Sequence, residues 1–174
     1  MLDHHALPGV AAPNQMYAGN CSAEVNFYKP ENYRRALIWG GVMTALTHID
    51  PDFSTVFAIQ AVNQPLMDAQ KTEGYGDYQK QFVKVVRAVE YATGIECADT
   101  DYSKIFSNPS FTKASGTGIL NVAECVGDAV VSDVLKEVAA SLKTIVASLG
   151  LESSVKLRRS LASSLGVSAI AGAE

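Results

Sequence analysis

The sequence predicts an α/β fold, with few parallel strands and a long C-terminal helical segment. Three observations carry that prediction. Two segments, the short one at residues 2–5 and the apolar run at 56–62, each end in a polar tip and read as strands. Each is followed by a loop and then by apolar residues at helical spacing, and strand–loop–helix order suits parallel strands joined by crossover helices. After residue 96 no further strand is evident, and one apolar stripe at helical spacing runs from Ile119 to Leu149.

The first strand is expected over Leu2–His5. The loop after it, "ALPGVAAPNQMYAGNCSAEVNFYKP", lacks periodicity, and such length points to a functional or mobile loop. Pro30 and Glu31 open a helix over "ENYRRALIWGGVMTALTHI", with Leu37, Ile38, Val42, Ala45, Leu46 and Ile49 as its apolar positions. Gly40-Gly41 inside it costs about 1 kcal/mol per residue relative to alanine, which predicts close packing against a neighbour. Asp50-Pro51-Asp52 stops this helix. The continuous apolar run Val56–Val62 suits a strand covered on both faces. A second helix is expected over "YQKQFVKVVRAVEYATG", capped by Asp77, with Phe82, Val85, Val86 and Val89 buried and Gly94 as its stop.

Residues 97–118 read as an irregular connector. The segment Ile119–Leu149 is one long helix or two broken near Gly127. Its main face carries Val122, Val126, Val130, Val134, Val138, Leu142, Ile145 and Leu149, widened by Val131, Leu135 and Val146. A short amphipathic helix with Val155, Leu157, Leu161 and Leu165 follows. Residues 1–96 and 97–174 are expected to pack as one domain.

Composition excludes several function classes. The 174 residues are 48% hydrophobic and 18% charged, a globular balance. A net charge of −4, with no basic cluster beyond Arg158-Arg159, gives no footprint for nucleic acid or a membrane surface. No apolar run is long enough to span a bilayer, and "MLDHHALPG" does not read as a signal peptide. Cys21, Cys97 and Cys125 match no zinc spacing, leaving one disulfide with a free thiol, or three buried thiols. Asn20-Cys21-Ser22 is formally a glycosylation sequon. His4 and His5 face opposite ways on a strand, so neither a metal site nor a cofactor is expected. His48 fits a helix C-terminus, where its charge suits the dipole. Tyr17, Tyr28, Trp39, Tyr75 and Tyr78 are either core aromatics or stacking platforms for a ring-shaped ligand. Trp39 is assigned to the core, and Tyr75 to either role.

The strand and tip "VFAIQAVNQP" resembles the fourth barrel strand of glycoside hydrolase family 5, which ends in Asn-Glu-Pro. "LDHHALPG" is similar to that family's third strand and following loop. The stretch from Asn32 through Glu90 looks like the fungal branch related to exo-β-1,3-glucanases, and the resemblance covers Leu2 to Gly94. It implies a partial, truncated TIM-type β/α barrel in residues 1–96. In the family two carboxylates serve an oxocarbenium-like transition state. The acid/base Glu corresponds to Gln64, and an amide cannot exchange a proton near neutral pH. No seventh-strand nucleophile can be carried over, because Glu90, Glu96, Glu124, Glu137 and Glu152 all lie in helices or connectors. His5 and Asn63 match residues that line the family's sugar site, while His4 departs from the usual Leu. The resemblance implies an extracellular setting.

The expected function is a catalytically inactive hydrolase-like protein that self-associates into a homo-oligomer and binds β-glucan through His5, Asn63, Gln64 and Tyr75. Surplus apolar width at Val130, Val131, Val134 and Leu135 motivates the self-association. The alternatives are a β-glucan hydrolase of β-1,3 type that is active with repositioned carboxylates or is represented here by an acid/base Glu-to-Gln variant or fragment of the active enzyme, and a cytosolic scaffold without sugar contact.

Overall fold

The computed structural model describes residues 1–16, 21–107 and 118–148. In chain order these form β1 (Leu2–Asp3), α1 (Pro30–Ile49), β2 (Ile59–Gln60), α2 (Tyr75–Ala92), α3 (Ile119–Cys125) and α4 (Ala129–Ser148). Short 3-10 turns occupy Pro51–Phe53 and Tyr102–Lys104. β1 and β2 pair in parallel, Leu2 opposite Ile59 and Asp3 opposite Gln60, with α1 as the connection.

α1 sits at the centre of the helical layer. Its first turn has Pro30 and Glu31, both suited to a helix start, and no side-chain cap. The small residues on its buried face let two neighbours approach. A Cβ on Gly40 would lie 2.6 Å from the Phe82 ring of α2, and one on Gly41 would lie 2.6 Å from Val138 of α4. The packing expected from the Gly-Gly pair is therefore present on two sides of the helix. Arg34 adds a two-pronged hydrogen bond to Glu137, both prongs at 2.6 Å.

α2 begins at Tyr75, and Asp77 is not its cap as expected. Gly74 holds the cap position with φ +74°, a backbone conformation open to a residue without Cβ, and Asp77 lies in the first turn. The far end follows expectation. Ile95 N–H donates to Glu90 O and Gly94 N–H to Tyr91 O around a left-handed Gly94, the Schellman arrangement.

The break near Gly127 separates α3 from α4. A Cβ there would lie 1.9 Å from Ser107 Oγ, because Phe106 and Val126 form an antiparallel bridge beside it. Asp128 Oδ1 then accepts the N–H groups of Val130 and Val131 at 3.1 and 3.3 Å, and Lys84 holds its other oxygen at 3.0 Å. Burial pushes the Asp128 carboxyl pKa up, but these contacts outweigh it and hold the group below its ordinary value.

Four sequence expectations are corrected. The strand Val56–Val62 shortens to Ile59–Gln60, and Phe57 is 84% exposed. β2 has a single two-residue partner, so the ladder cannot extend, and among the described residues nothing covers Phe57. β1 likewise ends at Asp3 rather than His5. The buried face of α4 is Val131, Val134, Leu135, Val138, Ala139, Leu142 and Val146, whereas Val130 is exposed and Ile145 only half-buried. Of the four residues thought too many for one partner, three are buried within the chain. The cysteines match neither expectation: none is in a disulfide, Cys21 is exposed, and Cys97 and Cys125 are half-buried. Asn20, Tyr17, Leu149 and the helix expected around Val155–Leu165 lie outside the described residues.

One continuous core joins both segments of the chain. It runs from Leu7, Ala11 and Phe27 through α1 and α2 to Ile105, Phe106, Val122 and Leu142.

Candidate functional site

Parallel register brings the C-terminal ends of β1 and β2 together. Counting on from Asp3 and Gln60, His5 comes abreast of Val62, and Asn63 and Gln64 follow directly. Asp3 and His5 are two apart in the chain as it leaves β1 and come to the same side. His5 Nδ1 lies 2.5 Å from Asp3 Oδ2. His4 takes the other face and stacks on Trp39 of α1, with ring centroids 3.9 Å apart.

The loop after β1 is shaped by its backbone. Gly9 and Val10 both have positive φ, +79° and +64°. Such a φ is rare for a β-branched residue, and strained backbone of this kind collects at binding and catalytic sites. The segment before α1 holds it there: Asn26 N–H donates to Gly9 O at 2.6 Å and Phe27 N–H to Val10 O at 3.2 Å. A Cβ on Gly9 would strike Asn32 Nδ2 at 2.5 Å, so glycine is required by space as well as by φ. Asn32 Nδ2 in turn donates to Asn26 O at 2.8 Å.

Gln64 is the tip of the loop after β2. Its φ of +46° is left-handed, its side chain is exposed, and its Oε1 accepts from Gln15 Nε2 at 3.0 Å. Asn63 beside it is half-buried. The Tyr28 hydroxyl ties the two strand-end loops together, accepting Leu66 N–H at 2.6 Å and donating to Ala11 O at 3.1 Å. Burial pushes the Tyr28 hydroxyl pKa up, so it stays a donor over the ordinary pH range.

Tyr75 is the first residue of α2, not a loop residue. Its half-buried ring meets Tyr28 edge-on at 5.7 Å and stacks on Tyr78 at 6.0 Å. Tyr78 is a core residue whose hydroxyl donates to Ala61 O at 3.1 Å. Tyr33 also stacks on Tyr78 and donates to Glu73 O at 2.8 Å. This aromatic group braces the backbone of both strand ends against α1 and α2.

The structure thus brings His5, Asn63 and Gln64 to one end of the sheet and connects Tyr75 to it through Tyr28. Sequence reasoning missed Gln15 and Asp3. Nothing in the local pattern marks Gln15, whose contact spans 49 residues. Asp3 could have been found from its i, i+2 spacing to His5. Between the two loops lies an open groove of about 690 Å³ with Pro13, Val25, Leu66, Met67, Asp68 and Lys71 in its walls.

Lys71 and the Gln70 N–H hold the Asp68 carboxyl below its ordinary pKa, so it is ionised and already accepting. Burial draws His4 down to about 4, against the opposing pull of Asp3. Elsewhere, His48 in the last turn of α1 lies 4.0 Å from Glu90 of α2, which also holds Arg87 at 2.6 Å. Burial lowers the His48 pKa, opposed by Glu90. Among the described residues, no three His, Cys, Asp or Glu side chains converge on a point that could hold a metal. No helix among them is long and apolar enough to cross a membrane.

Just over half of the chain is similar to fungal glycoside hydrolases named for glucan. It is 29% identical over 96 residues to the glucan endo-1,6-beta-glucosidase B of Emericella nidulans, covering 55% of this chain and 24% of that protein. A protein of Aspergillus terreus named probable glucan endo-1,6-beta-glucosidase B is 31% identical over 91 residues, or 52% of this chain and 22% of its own length. A Neosartorya fischeri protein of the same name is 29% identical over 97 residues. The chain spans about a quarter of the length of the curated relatives it matches. No family model matches it, and no solved structure does. The linkage in these names is β-1,6, whereas the sequence resemblance led to the β-1,3 branch.

Proposed function

We propose that this polypeptide is a hydrolase-derived protein of the family 5 type that binds β-glucan without cleaving it. The observation that carries the reading is Gln64: an amide at the tip of Asn63-Gln64-Pro65, in the place where the family has its acid/base glutamate. Among the neighbouring ionisable groups, Asp68 is held as a carboxylate, His4 is buried on the other face against a helix, and Asp3 and His5 contact each other. The partial barrel is part of the same reading, as is the extracellular setting that the family resemblance implies.

Incubation with β-1,3- and β-1,6-linked gluco-oligosaccharides is expected to release no product. The Gln64→Glu variant is expected to remain inactive, because retaining chemistry needs a second carboxylate about 5 Å away. Turnover by either chain would support the competing reading, an active β-glucan hydrolase, which the names of the relatives favour. In an NMR titration with the same oligosaccharides, the signals of His5, Asn63, Gln64 and Tyr75 should move, with a Kd of roughly 1 mM or weaker for a site built from one sheet end. Unmoved signals with both linkages would remove the glucan reading.

Self-association belongs to this proposal on different grounds from the helical surplus. A two-stranded parallel sheet has two edges, and unpaired edges recruit further strands. Phe57 stands exposed beside one of them. Light scattering at micromolar concentration should return a mass above 18.5 kDa, and a monodisperse monomer would overturn the oligomer.

A further inference from the structure

We propose that His4 and Trp39 form an acid-released latch that fastens β1 to α1. His4 is 6% exposed, and its ring lies nearly parallel to the Trp39 indole, 21° between planes and 3.9 Å between centroids. Its Nδ1 is buried with no hydrogen-bond partner among the described residues. The side chain therefore works as a flat neutral ring, and the contact is van der Waals and aromatic in character.

Protonation changes both features. It places a charge in a dehydrated position and adds a second N–H where Nδ1 meets no acceptor. The groups around His4 do little to offset this. On β1 itself, Asp3 favours the charged form; one of its oxygens contacts His5 and the other, Oδ1, is buried without a partner among the described residues, but burial of His4 outweighs its pull. β2 contributes Ile59 and Gln60 abreast of β1, neither charged. α1 contributes the uncharged Trp39, and Arg35 one turn earlier is exposed. An indole face attracts a cation, yet that attraction is smaller than the hydration an imidazolium loses on burial.

Apart from this stack, β1 is held by its short pairing with β2. It is two residues long and Leu2 is half-buried, with Leu2 N–H donating to Ala58 O at 2.8 Å. The attached form keeps His4 neutral down to about pH 4, while a released histidine titrates near 6.5. Protons thus favour the released form from about pH 6.5 downward, and the bias is complete near pH 4. Release carries Asp3 and His5 away from Asn63 and Gln64. The consequence for ligand binding rests on the glucan reading; the latch does not.

Trp39 is the single tryptophan, so its emission reports the latch directly. On the whole chain, lowering the pH from 7 to 3.5 should red-shift Trp39 emission with a midpoint between 4 and 6.5. The far-UV helical signal should hold constant, and the Leu2 amide should become exchangeable in the same window. His4→Leu keeps an apolar contact with Trp39 and should abolish the transition. His4→Gln, which is polar but does not titrate, should abolish it too and serves where the leucine variant does not fold. An unchanged transition in these variants overturns the latch. So does quenching without red shift or amide exchange, which would mean that the imidazolium stays stacked, and so does loss of helix at the same pH. Binding of β-1,3- or β-1,6-oligosaccharide is not read in this experiment, so its outcome is independent of the glucan proposal.

Discussion

The helical layer and the strand ends of this molecule are built to different standards. In the layer, α1, α2 and α4 meet through fully buried side chains and two glycines, and Thr44 donates within its own helix to Gly40 O at 2.7 Å. At the strand ends, two-residue strands pair along one edge, three residues other than glycine adopt positive φ, and Asp3 Oδ1 and His4 Nδ1 are buried without partners. The contrast follows from where each element finds its hydrogen bonds. A helix satisfies its interior backbone groups within itself, whereas a strand needs a neighbour on each side. Stability can therefore concentrate in the helices, while the strained and exposed groups collect at the strand ends.

The widest gap between the two regions should appear in core truncation. Leu135 is fully buried in α4, so Leu135→Ala should cost about 2–5 kcal/mol. A urea titration followed by circular dichroism would register it, and a loss below about 1 kcal/mol would mean that the helical layer is not the stable unit. An intermediate effect is expected at the junction. Tyr28→Phe removes the hydroxyl that serves both Leu66 N–H and Ala11 O, at a cost of about 1–3 kcal/mol for the group left unsatisfied. Amide exchange should rise in the two strand-end loops and stay unchanged in α4; a uniform rise would dissolve the distinction between regions. The smallest effect should fall on β2. Phe57→Ser removes a side chain that is 84% exposed and should alter monomer stability by less than about 0.5 kcal/mol. The same variant should lower the mass seen by light scattering, and an unaltered mass would show that this strand edge is not where copies meet.

Helix positions were legible because their signals are local. Pro30, the Gly40-Gly41 pair and Gly94 each act within a turn or two of their own sequence and have their expected structural role, and of the two readings of Ile119–Leu149 the one broken near Gly127 is present. The Asp77 cap failed because Asp is suited to both the cap and the first turn, and the left-handed Gly74 took the cap. At the candidate site, the tip Asn63-Gln64-Pro65 could be read from the strand–tip pattern, and His5 from the family resemblance. The Gln15 contact to Gln64 and the Tyr28 bridge could not, since they depend on how two long loops fold back on one another.

Apolar periodicity by itself fixes that α4 buries a stripe; which stripe depends on its rotation against α1, where the space above Gly41 admits Val138 and turns Val130 outward. The same holds for the strands. A run such as Val56–Val62 carries the chemistry of a covered strand in its side chains, but cover is supplied by other elements. With β1 alone beside it, only Ile59 and Gln60 pair and Phe57 is left in solvent. Sequence sets what each residue would bury if given a neighbour, and the tertiary arrangement decides whether the neighbour is there, because burial is a property of surfaces in contact and not of one chain segment.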